Sequence, residues 1–423
     1  MAEVCPFRGV RYDQQVVGDL GTVVCPPYDV ITPEQQKFYY DRNPYNLIRL
    51  EYGVPTHGKY NKAARIFKKW IDRGVLRYEE SPAFYVHDHC FIYRGAKRSR
   101  RGLLARVRLE PWSDGIYPHE ETGPKDKSDR LQLLRACQAN FSPLFALYND
   151  SNRQIIPILS DVSHETPIMR FGDSREGHVV WRITDTELQQ EISHFFSTRP
   201  IYMADGHHRY ETALNYQMER SSACASPVED NAYNYVMMAL VEFADPGLVV
   251  FPLHRLVRGL PSSILCRLKT QLEKFFIVDR WPLTSVLLDK LQYELPEGSS
   301  LVVLGLEPGY LLALRRRQDV SLQSMMPGNR SQAYQDLDIS LLNHVILEKA
   351  LGFSQNSKDV TYTVDISEAY RRVNDKEYQL AFLLSSPSLE TIKAITATKE
   401  KMPRKSTYFY PKLLSGLVVH PLG

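Results

Sequence analysis

The stretch Ala204-Asp205-Gly206-His207-His208-Arg209 puts a carboxylate, a glycine, two imidazoles and a guanidinium directly behind the apolar run Ile201-Tyr202-Met203. Read as a buried strand, a glycine turn and a helix opening at His207, this stretch has the makings of an anion site. A helix start presents N–H groups and the positive end of its dipole, and a glycine before it lets a phosphate approach the backbone. Arg209 adds a planar bidentate donor, His207 and His208 add hydrogen bonds or charge, and Asp205 is suited to hold Mg²⁺ or act on a proton. An ordinary Asp-Gly turn followed by surface histidines is the plainer account. Five such residues packed behind one apolar run favour the chemical one.

A second constellation is Pro118-His119-Glu120-Glu121-Thr122-Gly123-Pro124-Lys125, followed by Asp129-Arg130. Acid, base and hydroxyl groups on a loop ahead of a helix can supply a general base, a cation ligand or phosphate contacts. A solvated acidic loop with a helix cap accounts for the same residues. His87 and His89 fall on one face of an expected strand, but two imidazoles are too few for a metal site and a packed role explains them. His254-Arg255 follows another expected strand and is ambiguous. Lys405 to Gly416 mixes cations, hydroxyls and aromatics, and reads equally as a structural tail or a phosphate-contacting loop.

These residues need elements to position them. Thr32-Pro33-Glu34-Gln35 has the pattern of a capping box with proline at the first helical position. Tyr60, Ala63, Ala64, Phe67, Trp70 and Ile71 recur at helical spacing, with Gly74 as terminator. Between them, Asn46 to Leu50 reads as a short strand. Ala83 to Tyr93 and Gly102 to Leu109 read as strands flanking a basic hairpin turn, Lys97 to Arg101. Helices are expected from about Ser128 to Ala139 and Asp185 to Phe196, and the segment from Glu219 to Asn231 reads as an exposed connection. Beyond it come strands near Tyr235 to Val241 and Leu248 to Phe251, then helices at 262–274 and 284–293. Strands flank the Pro308-Gly309 turn, and a helix capped by Asp338 carries Leu341, Val345 and Leu351. The expected organisation is an N-terminal segment over 1–80 packed on a core over 81–230, with a C-terminal α/β region over 231–423.

The 423 residues are 43% hydrophobic, 24% charged and 11% aromatic, which rules out global disorder, collagen-like repetition and a coiled-coil rod. A formal charge of +3 falls short of a dedicated nucleic-acid binder. Six cysteines without a paired spacing suggest a reducing compartment. No apolar run is long enough for a membrane span and the first residues do not form a signal peptide, so a soluble, cytoplasmic protein is expected.

Several stretches, taken together, resemble a widespread prokaryotic family of formerly unknown function. They are Pro6-Phe7-Arg8-Gly9, Pro26-Pro27-Tyr28-Asp29-Val30, Asn43-Pro44-Tyr45-Asn46, Pro118-His119-Glu120-Glu121-Thr122, Asp129-Arg130-Leu131, Ala204 to Ala213 and Met402-Pro403-Arg404-Lys405-Ser406-Thr407. They occur in the family's order and span nearly the whole chain. The Asp-Gly-His-His-Arg stretch is also similar to the phosphate-binding turn of the ParB/sulfiredoxin-like fold, which includes kinases of free L-serine. The resemblance implies an α+β fold with a ParB/sulfiredoxin-like core, an N-terminal extension and a C-terminal α/β region.

It further implies transfer of a phosphoryl group from ATP or ADP, with Mg²⁺, to the hydroxyl of L-serine. Gly206, His207, His208 and Arg209 would hold the nucleotide, Asp205 the metal, and Asp205 and His208 would assist catalysis. A glutamate upstream of the turn is the expected base; Glu120, 85 residues before Asp205, is the candidate and Glu121 its rival. No Gly-x-x-x-x-Gly-Lys-Ser/Thr loop or protein-kinase motif set is present. Two other classes compete. One is a metal-dependent hydrolase or nuclease using Asp205, His207, His208 and Glu120. The other is a ParB-like nucleotide switch, which would call for a helix-turn-helix and a basic face.

Overall fold

Period-two alternation is clearest in Phe84–Tyr93, where His87, His89 and Phe91 fall on one side of the strand and Val86, Asp88 and Cys90 on the other. In the computed structural model, which describes residues 2–53, 58–121, 127–223, 230–328, 330–353 and 357–423, this strand is central to a large mixed sheet. The protein is α+β, and the chain folds into two units. The first comprises 1–118, 122–249 and 411–423, and the second 119–121 and 250–410.

The large sheet of the first unit has nine strands: β1 (Val4–Cys5), β2 (Phe84–Tyr93), β3 (Ala96–Arg108), β4 (Ile116–Pro118), β5 (Leu144–Tyr148), β6 (Met169–Gly172), β7 (Glu176–Ile183), β8 (Ile201–Asp205) and β9 (Tyr235–Glu242). Their order is β4-β8-β5-β9-β3-β2-β7-β6, with β1 paired to β3. The pairs β4·β8 and β5·β9 are parallel and the others antiparallel. Phe84, Val86, Leu103, Ala146, Met203, Met238 and Leu240 from the sheet pack with Phe195, Phe196 and Tyr210 from helices. Two helices matter for the site, α1 (Lys127–Cys137) and α2 (His207–Ala223).

Two local expectations are corrected. The basic run is not a hairpin tip: the turn is Arg94-Gly95, both at positive φ as two-residue hairpins favour, and Lys97 to Arg101 already belong to β3. Two of its charges are held within the unit, while Lys97 and Arg98 are exposed. Arg100 is buried and donates to the Pro411 carbonyl at 2.7 Å, while Arg101 grips Asp88 through two 2.7 Å bonds. Nor is Asn46 to Leu50 a strand. The Asn46 side chain accepts from the Ile48 amide at 2.9 Å and donates to the Thr22 and Val24 carbonyls, so Ile48–Glu51 starts as a helical turn. The capping box at Thr32 and Gln35 forms as the sequence predicts, and Lys59–Asp72 is helical with Gly74 at φ +70° behind it.

The second unit has its own antiparallel six-stranded sheet: β10 (His254–Val257), β11 (Phe276–Pro282), β12 (Leu301–Glu307), β13 (Tyr310–Arg316), β14 (Val360–Thr363) and β15 (Leu380–Leu384), in the order β11-β13-β12-β15-β10-β14. Val302, Leu304, Leu311 and Leu383 pack there against Ile366 and Ala369 of the helix Ile366–Asn374. Leu341–Ala350 is wound as a π-helix, and Asp338 lies inside the short helix before it rather than capping it. Among the described residues, no helix is long and apolar enough to cross a membrane, and Cys5, Cys25, Cys90, Cys137 and Cys266 are free thiols.

Candidate functional site

The apolar residues Ile201, Tyr202, Met203 and Ala204 bury β8 within the sheet, and the chain then turns through Gly206 at φ +93° directly into α2. Only glycine suits this junction. A Cβ there would lie 2.8 Å from Leu144 Cδ2 and 3.1 Å from an Arg209 guanidinium nitrogen. Tyr210, fully buried, fixes the first turn of α2 by donating to the Glu110 carbonyl at 2.7 Å and accepting from the Glu110 amide at 3.1 Å. Its ring stacks on Trp112 with centroids 4.2 Å apart, and the buried His207 ring sits 6.2 Å from the same indole. His208 is half-buried, and its carbonyl accepts from Thr212 Oγ1 at 2.7 Å.

Asp205, at the end of β8, meets Lys412 from the C-terminal segment, Oδ2 to Nζ at 3.0 Å. Burial opposes its charged form. Lys412, Arg209 and His207 nevertheless hold the carboxyl well below the usual carboxylate range. The cation-rich tail that the sequence left open as structural or phosphate-contacting thus brings one ammonium to the expected turn. A lysine 207 positions away carries no local signal of that pairing.

Arg209 donates to Ser142 Oγ at 2.9 Å and to the Pro143 carbonyl at 3.1 Å. Ser142 in turn donates to the buried Glu51 carboxylate at 3.2 Å, which lies 3.8 Å from Arg130 of α1. Arg130 also bonds the Glu51 carbonyl at 2.9 Å, pairs with Asp129 and lies over the Tyr28 ring at 3.9 Å. Asp129 accepts from Tyr60 at 2.7 Å and pairs with Lys59; against the opposing effect of burial, its cationic neighbours press its carboxyl down to about 2. Three of the sequence stretches therefore meet in one polar network within the first unit: Tyr28 of the Pro-Pro-Tyr-Asp segment, Asp129-Arg130, and Arg209. The cavity bordered by Glu51, Arg130, Ser142 and Arg209 measures about 60 Å³, room for water or a small ion but not a nucleotide.

His119, Glu120 and Glu121 belong to the second unit. His119 Nε2 lies 2.7 Å from Thr407 Oγ1. Glu120 accepts from the backbone amides of Lys405 at 2.8 Å and Ser406 at 3.1 Å, clasping a turn in which Lys405 has φ +60°. The Met402 amide donates to the His119 carbonyl and the Glu121 amide to the Met402 carbonyl, while Glu121 pairs with Arg330 at 2.7 Å. The segments His119-Glu120-Glu121 and Met402 to Thr407, 280 residues apart, are thus one local structure. Thr122, Gly123, Pro124 and Lys125 lie outside the described residues.

Ser406 also borders a cavity of about 540 Å³, a volume of small-ligand size, with Asp338, Ser386, Ser388, Glu390 and Thr391. Burial pushes the Asp338 carboxyl up to about 6. His254 and Arg255 are packed residues: His254 Nδ1 accepts from the Leu384 amide at 3.2 Å, and Arg255 bonds the Leu253 and Arg404 carbonyls.

The family model for "Protein of unknown function (DUF1015)" matches residues 4–340, most of the chain, and the protein belongs to that family. No curated protein matches it. Similar solved structures include a conserved hypothetical protein from Pyrococcus furiosus, at 12% identity over 74% of this chain and 93% of that one, with a TM-score of 0.35. A free serine kinase in complex with AMP is similar at 11% identity over 75% and 91%, with a TM-score of 0.35. SbnI with a C-terminal truncation, from Staphylococcus aureus, is similar at 11% identity over 74% and 85%, with a TM-score of 0.32. Likeness at these scores carries no argument about chemistry.

Proposed function

We propose that the protein is a nucleotide-dependent small-molecule kinase that phosphorylates the hydroxyl of free L-serine to O-phosphoserine, with the donor's phosphates at the start of α2. The observation that supports this reading is the junction at Gly206. A buried strand ends in a carboxylate matched to an ammonium, a glycine at positive φ clears the backbone, and a seventeen-residue helix begins with His207, His208 and Arg209. Phosphoryl transfer asks mainly for positioning and charge neutralisation, which such a set provides.

In this reading Arg209 and Lys412 offset phosphate charge, and His207 and His208 add donors. Asp205 would hold a nucleotide-borne Mg²⁺ in exchange for Lys412, and the ion would neutralise phosphate charge. The terminal P–O bond of ATP or ADP breaks as one forms to the serine Oγ, and the hydroxyl proton passes to a carboxylate. Glu120 is the candidate base and Glu121 its rival.

Purified protein incubated with Mg²⁺, ATP or ADP and a panel of hydroxyl amino acids, with products read by mass, should yield O-phosphoserine. Glu120→Gln should lower single-turnover phosphorylation by ~10² to 10⁴-fold with nucleotide affinity retained. The amide keeps one acceptor oxygen for the Lys405-Ser406 turn, so thermal unfolding must be measured beside it. Arg209→Ala should weaken nucleotide binding by roughly 10-fold or more, the loss of a charge-assisted contact of ~1.5 to 3 kcal/mol. Wild-type turnover in Glu120→Gln would move the base to Glu121 or Asp205. Absence of phosphate transfer to any acceptor would overturn the kinase reading.

A further inference from the structure

Glu176 and His178 stand two residues apart on β7 and therefore on one face, and the register sets His178 directly opposite His89 of β2. His89 Nε2 is 2.9 Å from Glu176 Oε1, His178 Nε2 is 3.8 Å from the same oxygen, and the three ligand atoms all lie within 4.8 Å of one another. We propose that His89, Glu176 and His178 form a binding site for a divalent transition-metal ion, zinc foremost. Zinc bonds of ~2.0 to 2.2 Å in tetrahedral array set donors ~3.3 to 3.5 Å apart, and the two measured separations bracket that value. Two imidazoles and one carboxylate are a recurrent donor set for an ion that keeps a position open.

The surroundings suit such an ion. His89 and His178 are buried, whereas the Glu176 side chain is 58% exposed, so the third ligand faces solvent and gives the metal a way in. His87 Nε2 lies 3.0 Å from His178 Nδ1. With His178 donating through Nδ1, its Nε2 lone pair points at the site, the outer-shell arrangement that orients metal-bound histidines. Phe171 stacks on His178 at 4.9 Å and Phe91 edges His89 at 5.6 Å, so the rings are held on rigid strands. One neighbour opposes binding: Arg100 NH2 stands 3.5 Å from His89 Nδ1, where loading requires the His89 proton.

The proposal is independent of the kinase reading and is tested by metal binding alone. Full-length protein stripped with a chelator is titrated with Co²⁺, then with Zn²⁺ against a chromogenic chelator. One equivalent of Co²⁺ should give the visible absorption of a four- or five-coordinate ion, which Zn²⁺ abolishes. Glu176→Gln, at an exposed position that leaves the fold intact, should weaken Zn²⁺ by at least ~10 to 100-fold, and His178→Ala by more. Folded wild-type protein that takes up no stoichiometric metal overturns the proposal. So does Glu176→Gln binding as tightly as wild type, and this variant decides alone where His178→Ala does not fold.

Discussion

At the scale of single residues, Asp205 and Lys412 are the most informative pair, because they join the expected turn to a segment 207 positions away. Asp205 is only 24% exposed, and its carboxylate form is held by the ammonium 3.0 Å away, with Arg209 and His207 behind. Lys412→Met leaves the carboxylate with its more distant partners. Discounted for solvent at the rim, the expected loss is ~1 to 2 kcal/mol in urea unfolding at pH 7. The sign with pH follows from the depressed carboxyl: its contribution is full above the unfolded value of 3.8 and is lost as pH falls through the folded one. The gap between wild type and Lys412→Met should therefore persist from pH 7 to 5 and begin to close below about pH 4. A gap that widens in acid would contradict the pairing.

At the scale of elements, the passage from β8 through Gly206 into α2 was legible because an apolar run, a glycine and a polar helix start follow without slack. Gly206→Ala should destabilise the first unit by ~1 to 3 kcal/mol, since alanine must adopt φ +93° and its methyl meets Leu144; thermal unfolding measures it. An alanine variant as stable as wild type would mean that the junction relaxes freely. Other elements were not legible, for a common reason. Lys97 to Arg101 look like a solvated tip because no apolar residue marks them as strand; pairing with β2 continues through them, and Arg100 and Arg101 are held by Asp88 on that strand, by Asp245 and by the distant Pro411 carbonyl. His87 and His89 look too few for a metal until register brings Glu176 and His178 alongside. The grip of Glu120 on Lys405 and Ser406 has no local trace either. Periodicity reports an element's own faces, and partners on other elements escape it.

At the scale of the whole molecule, buried neutral histidines set the response to acid. Burial is the first cause in each case, lowering His178 to about 2, His420 to about 3 and His254 to about 4. The unfolded chain takes these protons from about pH 6.5 downward while the folded one refuses them, so stability is full above that pH and falls through the window to the folded values. Each group contributes a slope of ~1.4 kcal/mol per pH unit. His420 is the cleanest to test: neither ring nitrogen has a hydrogen-bond partner, and its ring packs on Phe7 at 4.9 Å. His420→Phe should reduce the acid slope of first-unit unfolding between pH 6 and 4.5 by one proton and leave stability at pH 7 equal or higher. An unchanged slope would show that this imidazole is already protonated in the fold.

The stretch 411–423 belongs to the first unit, although residues 250–410 of the second intervene before it. Its bonds are spread widely: Ser415 with Cys25, Val419 with Val10, His420 with Asn140, and Lys412 with Asp205. During synthesis the nine-stranded sheet can gather early, but Asp205, Phe7 and Arg100 wait for partners that follow the whole of the second unit. The second unit has all its residues available before the first is complete. Residues 411–423 thus act as a clasp in time as well as in space, and the turn before α2 gains its Lys412 partner only when translation has passed residue 412.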